Sequence, residues 1–284
     1  MLIVGRRTFR SGSRLRVRRA AVLAAPVLLG CLALTSASAA APPKRPPLAS
    51  QCRLETFATG TVQSIVDGRT FVLADGREVR LDGIEVAPEP AGAAALGDLV
   101  LGHEVVLRHA REASDRYGRL LADALVPLKP DEAPGSVAKT LLAQGVAQLS
   151  ARPAVAACMA ELRPAEAAAR AAKLGLWGDP RYFPKQADDL AGIAAERGRF
   201  TLVVGKVVSV RESGGTIYVN FGRRWSEDFT VTIAKRRERA FTAAGLEPRT
   251  LAGRRVMVRG WIEARGGPWI DAAAPEQIEI VADQ

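Results

Sequence analysis

Residues 61–66 read as a roughly alternating, period-two strand with one buried face. Asp67-Gly68 then turns the chain. Residues 70–73 and 78–81 flank Ala74-Asp75-Gly76-Arg77, and the Asp-Gly pair there predicts a hairpin. Two more strands are predicted at 104–107 and 120–125, with residues 115–119 in the turn between them. Residues 88–95 are rich in Ala, Gly and Pro and read as a loop leading into a short helix. Helices are predicted over 132–144 and 155–174, each ending at a glycine (Gly145, Gly175). Five strands followed by helices predict a small antiparallel barrel covered on one side.

Residues 180–198 form a charged, partly helical connection, after which the strand pattern restarts. Residues 202–210 are apolar and β-branched. Ser213-Gly214-Gly215-Thr216 turns into a strand at 217–221, and a third strand follows at 229–233. Residues 235–244 read as a helix ending at Gly245. Strands at 256–262 and 277–281 close the set, with Arg265-Gly266-Gly267-Pro268 as a turn. Three strands, a helix and two strands is the order of the OB-fold, a five-stranded Greek-key barrel. The expected class is therefore mainly β with helices (α+β): a five-stranded OB-type barrel with covering helices, then a second small OB-like barrel. The 284 residues suffice for two cores. The expected boundaries are 52–180 for the first barrel, 181–199 for a connector and 200–284 for the second barrel.

The N-terminus changes that picture. An arginine-rich start precedes an apolar run over 20–34 and the small-residue stretch Ser36-Ala37-Ser38-Ala39-Ala40. Ala37-Ser38-Ala39 fits an export-signal cleavage site, so residues 1–39 are expected to be removed. The run is too short and too Ala-rich for a membrane span, and no transmembrane segment is expected in the mature chain. The protein is then periplasmic or secreted. The alternative is a lipid anchor at Cys31, within Leu28-Leu29-Gly30-Cys31. Residues 40–51 follow as a Pro-rich, extended linker.

Net charge is +10, but residues 1–41 hold seven arginines and no acid. Residues 42–199 carry equal numbers of basic and acidic side chains. Attraction for a polyanion must therefore come from local patches and not from a global field. Cys52 and Cys158 remain after export into an oxidising compartment, which favours a disulfide between them; two free thiols are the alternative. With only His103 and His109 present, a histidine triad or a zinc enzyme is not expected.

Hydrolysis of a phosphodiester needs neutralised phosphate charge, an aimed and deprotonated water, and a stabilised leaving oxygen. Arginine suits the first task because its planar fork makes two parallel hydrogen bonds to phosphate oxygens. Carboxylates suit the second, as base or as ligands for a hard cation. Arg80 lies late in a predicted strand, Asp82, Glu85 and Glu89 follow it, and Arg119 ends a distant turn.

Four segments carry a resemblance: Asp67-Gly68-Arg69-Thr70-Phe71, Val79-Arg80-Leu81-Asp82-Gly83-Ile84-Glu85, Asp115-Arg116-Tyr117-Gly118-Arg119 and Gly175-Leu176-Trp177. In this order they resemble the thermonuclease (staphylococcal-nuclease-like) family, over residues 57–178. The resemblance implies an OB barrel and ancestral calcium-dependent phosphodiester hydrolysis of DNA or RNA. It implies that Arg80 and Arg119 are phosphate-binding catalytic residues, with Tyr117 beside the nucleic acid. It implies Asp67 and Glu85 as metal-site residues, Glu85 standing where the family has aspartate. Two positions depart from the pattern. Arg69 replaces a metal-binding aspartate, a full charge reversal. Pro88 falls where the family has its catalytic glutamate, and Glu89, one residue later, is the candidate to take that role.

At an effective dielectric of 20, two unit charges about 4 Å apart interact by about 4 kcal/mol. A cation in place of a carboxylate loses that attraction for a metal and adds repulsion. Arg69 is expected to pair with Glu85 or Asp67, or to act as a third phosphate-binding cation. Calcium or another divalent cation is the expected cofactor if the site functions, and none if it does not. Three functions remain: a metal-dependent endonuclease-like hydrolase with altered metal use, a non-catalytic nucleic-acid or phosphate binder, and a structural or protein-interaction module. In the second barrel, Tyr218, Phe221, Arg223, Arg224 and Trp225 are candidate groove residues for a single strand, with a basic run at 235–239.

Overall fold

The computed structural model describes residues 52–86, 90–109, 114–128, 133–151, 158–224 and 226–282. The predicted signal, its alternative anchor Cys31, the linker, Glu89 and Trp225 lie outside the described residues. In chain order the first elements are β1 (Glu55–Asp67), β2 (Thr70–Leu73), β3 (Glu78–Leu81), β4 (Ile84–Val86), α1 (Pro90–Val100), β5 (Glu104–His109), β6 (Leu120–Val126), β7 (Gly135–Ser136), α2 (Val137–Ala143), β8 (Ala147–Leu149) and α3 (Met159–Ala171).

Strand β1 pairs antiparallel with β2 and β2 with β3. Strand β3 runs parallel to β6, which pairs antiparallel with β5. Strand β5 returns antiparallel to β1 and closes the barrel. Alternation sends Phe71, Leu73, Val79, Leu81, Val105 and Leu107 into the core. Residues between them, Arg80 among these, stay on the outside. Helices α1 and α2 add Leu96, Val100, Leu141 and Leu142 to the same core. The protein is thus an α+β chain built on a closed five-stranded barrel.

Several boundaries differ from expectation. Helix α1 starts at Pro90, inside the stretch read as loop, because proline at a first helical position forfeits no intrahelical bond. Helix α2 starts at Val137, not 132. Gly135 and Ser136 pair with β6 instead, and the Ser136 side chain caps the helix by accepting from the Lys139 N–H. Helix α3 starts at Met159 and ends at Ala171, where Lys173 takes φ +54° and turns the chain. Gly145 and Gly175 then meet back to back. A Cβ on Gly145 would lie 2.2 Å from the Leu174 carbonyl oxygen, so only glycine permits this approach.

The second half contains β9 (Lys185–Gln186), α4 (Leu190–Ala195), β10 (Phe200–Lys206), β11 (Ser209–Ser213), β12 (Thr216–Asn220), β13 (Thr230–Ala234), α5 (Glu238–Ala243), β14 (Arg255–Trp261), β15 (Glu263–Arg265), β16 (Gly267–Asp271) and β17 (Ile278–Ile280). The single strand expected at 202–210 is broken. The Val207 N–H donates to Arg254 while the Val208 N–H donates to Asn220, so the chain changes sheets between them. Strands β10 and β11 are thus two halves of one barrel strand, and β14 and β15 another. The parallel pairing of β13 with β16 repeats that of β3 with β6. Strand β16 escaped the sequence pattern because its opening Gly267-Pro268 reads as turn; Gly266 at φ +82° makes the actual reversal.

Three features fasten the halves. Trp177, from Gly175-Leu176-Trp177, is buried with Ala169, Leu202 and Met257. Glu166 of α3 and Arg259 of β14 form an ion pair at 2.9 Å, both side chains at most 2% exposed. Arg163 of α3 pairs with Glu279 of β17. Cys52 and Cys158 form a disulfide with Cα atoms 4.6 Å apart and 106 positions between them in sequence. Closing a loop of that length contributes about 4–5 kcal/mol in the chain-entropy account. No helix among the described residues is long and apolar enough to cross a membrane.

Candidate functional site

One rim of the first barrel gathers the arginines. Residue 69 follows the turn after β1, and its carbonyl accepts from the Leu81 N–H at 2.7 Å. Arg80 sits opposite Thr70 in the β2–β3 ladder. Arg119 precedes Leu120, which lies opposite Val79 in the parallel β3–β6 pair. Glu85 enters from β4, which pairs with β8. Gly68 allows this closeness: a Cβ there would lie 2.5 Å from Val86 Cγ1 and against the Gly92 backbone.

The three arginines are held differently. The Asp115 carboxylate accepts from Arg119 Nε at 2.7 Å and lies 2.6 Å from its Nη2. Arg119 also sits over the ring of Tyr117, an exposed side chain, at 5.1 Å. Burial pushes the Asp115 carboxyl up, but hydrogen bonds from the Arg119 side chain and from the Tyr117 and Arg119 N–H groups hold it below its ordinary value. The bond to Asp115 raises Arg119 in turn. Arg69 donates to the Ile84 carbonyl at 2.8 Å and lies 2.5 Å from Glu85. The other Glu85 oxygen accepts from Ser150 at 3.3 Å.

The Arg80 side chain has no hydrogen bond or ion pair among the described residues. It is half-buried. Burial lowers its guanidinium from the ordinary value, and the neighbouring Arg69 and Arg119 cations lower it further, against the opposing pull of Asp67 and Glu85. A cation crowded by two others, with its own side-chain donors unspent, has the chemistry to accept an anion. A phosphate there relieves the repulsion and supplies acceptors for a planar fork.

The comparisons with known proteins fall on this barrel. Residues 90–179 match the family model described as staphylococcal nuclease homologue. This segment is similar to that nuclease family. No match was found among curated proteins. The matched segment contains residues 115–119 and 175–177, while Asp67, Arg69, Arg80 and Glu85 lie ahead of it and join it through the barrel ladder. The nuclease-homologue domain implies nuclease-like ancestry and association with nucleic acid.

Nuclease homologues typically use calcium. The residues of this rim do not fit that ion. Calcium takes six to eight oxygen ligands, with carboxylates prominent among them. Here the Glu85 carboxylate is neutralised by Arg69 and engaged by Ser150. One Asp67 oxygen accepts from the Arg69 N–H at 2.9 Å, closing the turn. Among the described residues, no group of three or more His, Cys, Asp or Glu side chains is placed to hold a metal.

The structure thus brings Asp67, Arg69, Arg80, Glu85 and Arg119 together, with Tyr117 beside Arg119. Glu89 lies outside the described residues. Three contributors escaped the sequence reading. Asp115 was visible only as part of a motif, yet it orients Arg119. Ser150 and Gln148 reach Glu85 through the β4–β8 pairing, some 65 positions along the chain, and no local pattern marks them. In the second barrel the candidate groove residues diverge. Phe221 packs against Phe229 and the core. Arg223 and Arg224 are exposed. In the run 235–239, Lys235 is paired with Glu212 and Glu238, and Arg237 donates to the Ala273 carbonyl.

Proposed function

We propose that this is an exported protein of nuclease ancestry that binds single-stranded nucleic acid through phosphate, independently of calcium. One observation carries the reading: Arg69 occupies the Glu85 carboxylate at 2.5 Å while Arg80 keeps its donors unpaired. The substitution that unmakes a metal site adds a cation to a phosphate site. Arg69, Arg80 and Arg119 then form the phosphate rim, and Tyr117 offers an exposed ring beside it. Export is supported by residues 1–39, and the periplasm or the external medium is the corresponding location.

Calcium titrated calorimetrically into the mature protein is expected to give no saturable heat through the low millimolar range. EF-hand sensor sites, by comparison, bind calcium at about 0.1–10 µM. A stoichiometric site in that range would overturn the reading.

A further inference from the structure

The chain has only four tryptophans, three tyrosines and eight phenylalanines, and four of these fifteen rings line one cavity. Tyr182 and Phe183 come from the connector. Phe200 and Trp261 come from facing positions of β10 and β14, their rings edge to face at 6.0 Å. The cavity holds about 540 Å³, within the range of about 300–1,000 Å³ typical of small-molecule sites. It lies between the two barrels. Its wall on the first-barrel side includes Arg69 and Glu85, so it opens from the phosphate rim itself.

Two of its residues carry unspent polar atoms. Gln148 Oε1 and Thr201 Oγ1 are buried and have no hydrogen-bond partner, and their side chains are more than nine-tenths covered. A buried acceptor or hydroxyl left unmade costs about 1–3 kcal/mol, and a ligand with matching groups recovers it. Trp261 is 49% exposed and Phe183 40%. Flat rings presented to solvent beside uncompensated amide and hydroxyl oxygens suit a planar, hydrogen-bonding ligand, and the adjoining cations suit a phosphate attached to it.

We infer that this cavity is a nucleobase subsite, which takes an unpaired base of a strand whose phosphate sits on Arg80. This deepens the proposed function and rests on it. Stacking accepts any base, because each has a π face. Gln148 and Thr201 supply the polar contacts, with the Gln148 amide able to donate as well as accept. Only a single strand offers a base free to enter. Preference for single strands thus comes from the second barrel, whose docking against α3 makes the cavity.

The test is fluorescence anisotropy with a short labelled single strand and a matched abasic strand, at one salt concentration. The native protein is expected to favour the base-bearing strand. Trp261→Ala is expected to bring that strand down about tenfold or more, to the level of the abasic one, while Trp261→Phe keeps most of the preference. Thermal melting of both variants shows whether the fold is intact, and Trp261→Phe carries the test if the alanine variant fails to fold. Equal binding of both strands by the native protein, with both weakened by Arg80→Ala, would remove the base subsite and leave the phosphate rim standing. Indifference of both strands to Arg80→Ala would remove the phosphate rim and the subsite with it.

Discussion

Arg80→Ala is expected to weaken binding of a single-stranded oligonucleotide by roughly 10- to 150-fold, equivalent to the about 1.5–3 kcal/mol carried by hydrogen bonds to a charged group. The size follows from the residue's unusual state. Other arginines among the described residues are committed: Arg69 to Glu85, Arg119 to Asp115, Arg259 to Glu166. Arg80 is not, and burial and two adjacent cations depress its guanidinium. Its neighbours in β3, Val79 and Leu81, point into the core and hold the strand without it. The variant therefore loses a binding group and no side-chain hydrogen bond or ion pair among the described residues. Arg119→Ala is a poorer probe, because it also removes an internal ion pair, that with Asp115. The check is anisotropy across a salt series. The slope of log K against log salt is expected to fall by about 0.7 if one single-strand phosphate contact is lost. An unchanged affinity and slope would show that Arg80 does not touch phosphate.

The second large effect is on stability. Glu166→Ala is expected to destabilise the protein by about 3–5 kcal/mol, because it strips the buried Arg259 of its close carboxylate and leaves it only Glu279 at 3.8 Å and the Leu149 carbonyl. Glu166 accepts from the Leu149 N–H at 2.8 Å and from both terminal nitrogens of Arg259 at 2.9–3.0 Å. Leu149 ends β8, the strand that carries Gln148, so the loss is expected to reach the cavity between the barrels. The double variant Glu166→Leu, Arg259→Met removes both charges and is expected to recover most of the loss, since apolar side chains of similar volume often replace buried pairs at little cost. Denaturant melts of the two variants check this, and an unperturbed midpoint for Glu166→Ala would refute it.

The same pair sets an acid limit. Burial pushes the Glu166 carboxyl up, but the Arg259 charge and hydrogen bonds, the Leu149 N–H and the Arg170 charge outweigh it and hold the group below its ordinary value near 4.5. The folded protein therefore binds this proton less readily than the unfolded chain. The contribution is complete above about pH 4.5 and declines as pH falls toward the depressed folded value. Loss of the carboxyl in Glu166→Ala is expected to flatten this part of the stability profile.

Much of the first barrel was legible in the chain because its strands declare themselves locally. The Asp-Gly turn at 75–76 and the terminal glycines of α2 and α3 are short-range signals. What stayed hidden depends on distant partners. The break between β10 and β11 occurs because Val207 and Val208 hydrogen-bond to different sheets, although a run of valines reads as one strand. Helix α1 was obscured because Pro90 is a breaker in most positions and a starter in one. At the site, Arg69, Arg80 and Arg119 were each visible, and an ion pair of Arg69 with Glu85 or Asp67 was expected; which partner it takes, and the state of Arg80, were not. The ion pair of Arg69 and the isolation of Arg80 come from tertiary placement. The aromatic cavity was invisible for the same reason: Tyr182, Phe200 and Trp261 lie in unrelated local patterns and meet only when the second barrel docks. The aromatics that stood out in sequence, Tyr218 and Phe221, line other surfaces or pack inward.

On the proposed function, Arg69, standing where the family it resembles has an aspartate, separates phosphate binding from metal-dependent cleavage. The most direct measurement follows one labelled single strand with the mature protein, in calcium and in chelator, by anisotropy for binding and by gel for chain length. The expected result is binding of equal strength in both conditions, with the strand uncut and the affinity lost in Arg80→Ala. Cleavage that requires calcium and disappears in Arg80→Ala would contradict it.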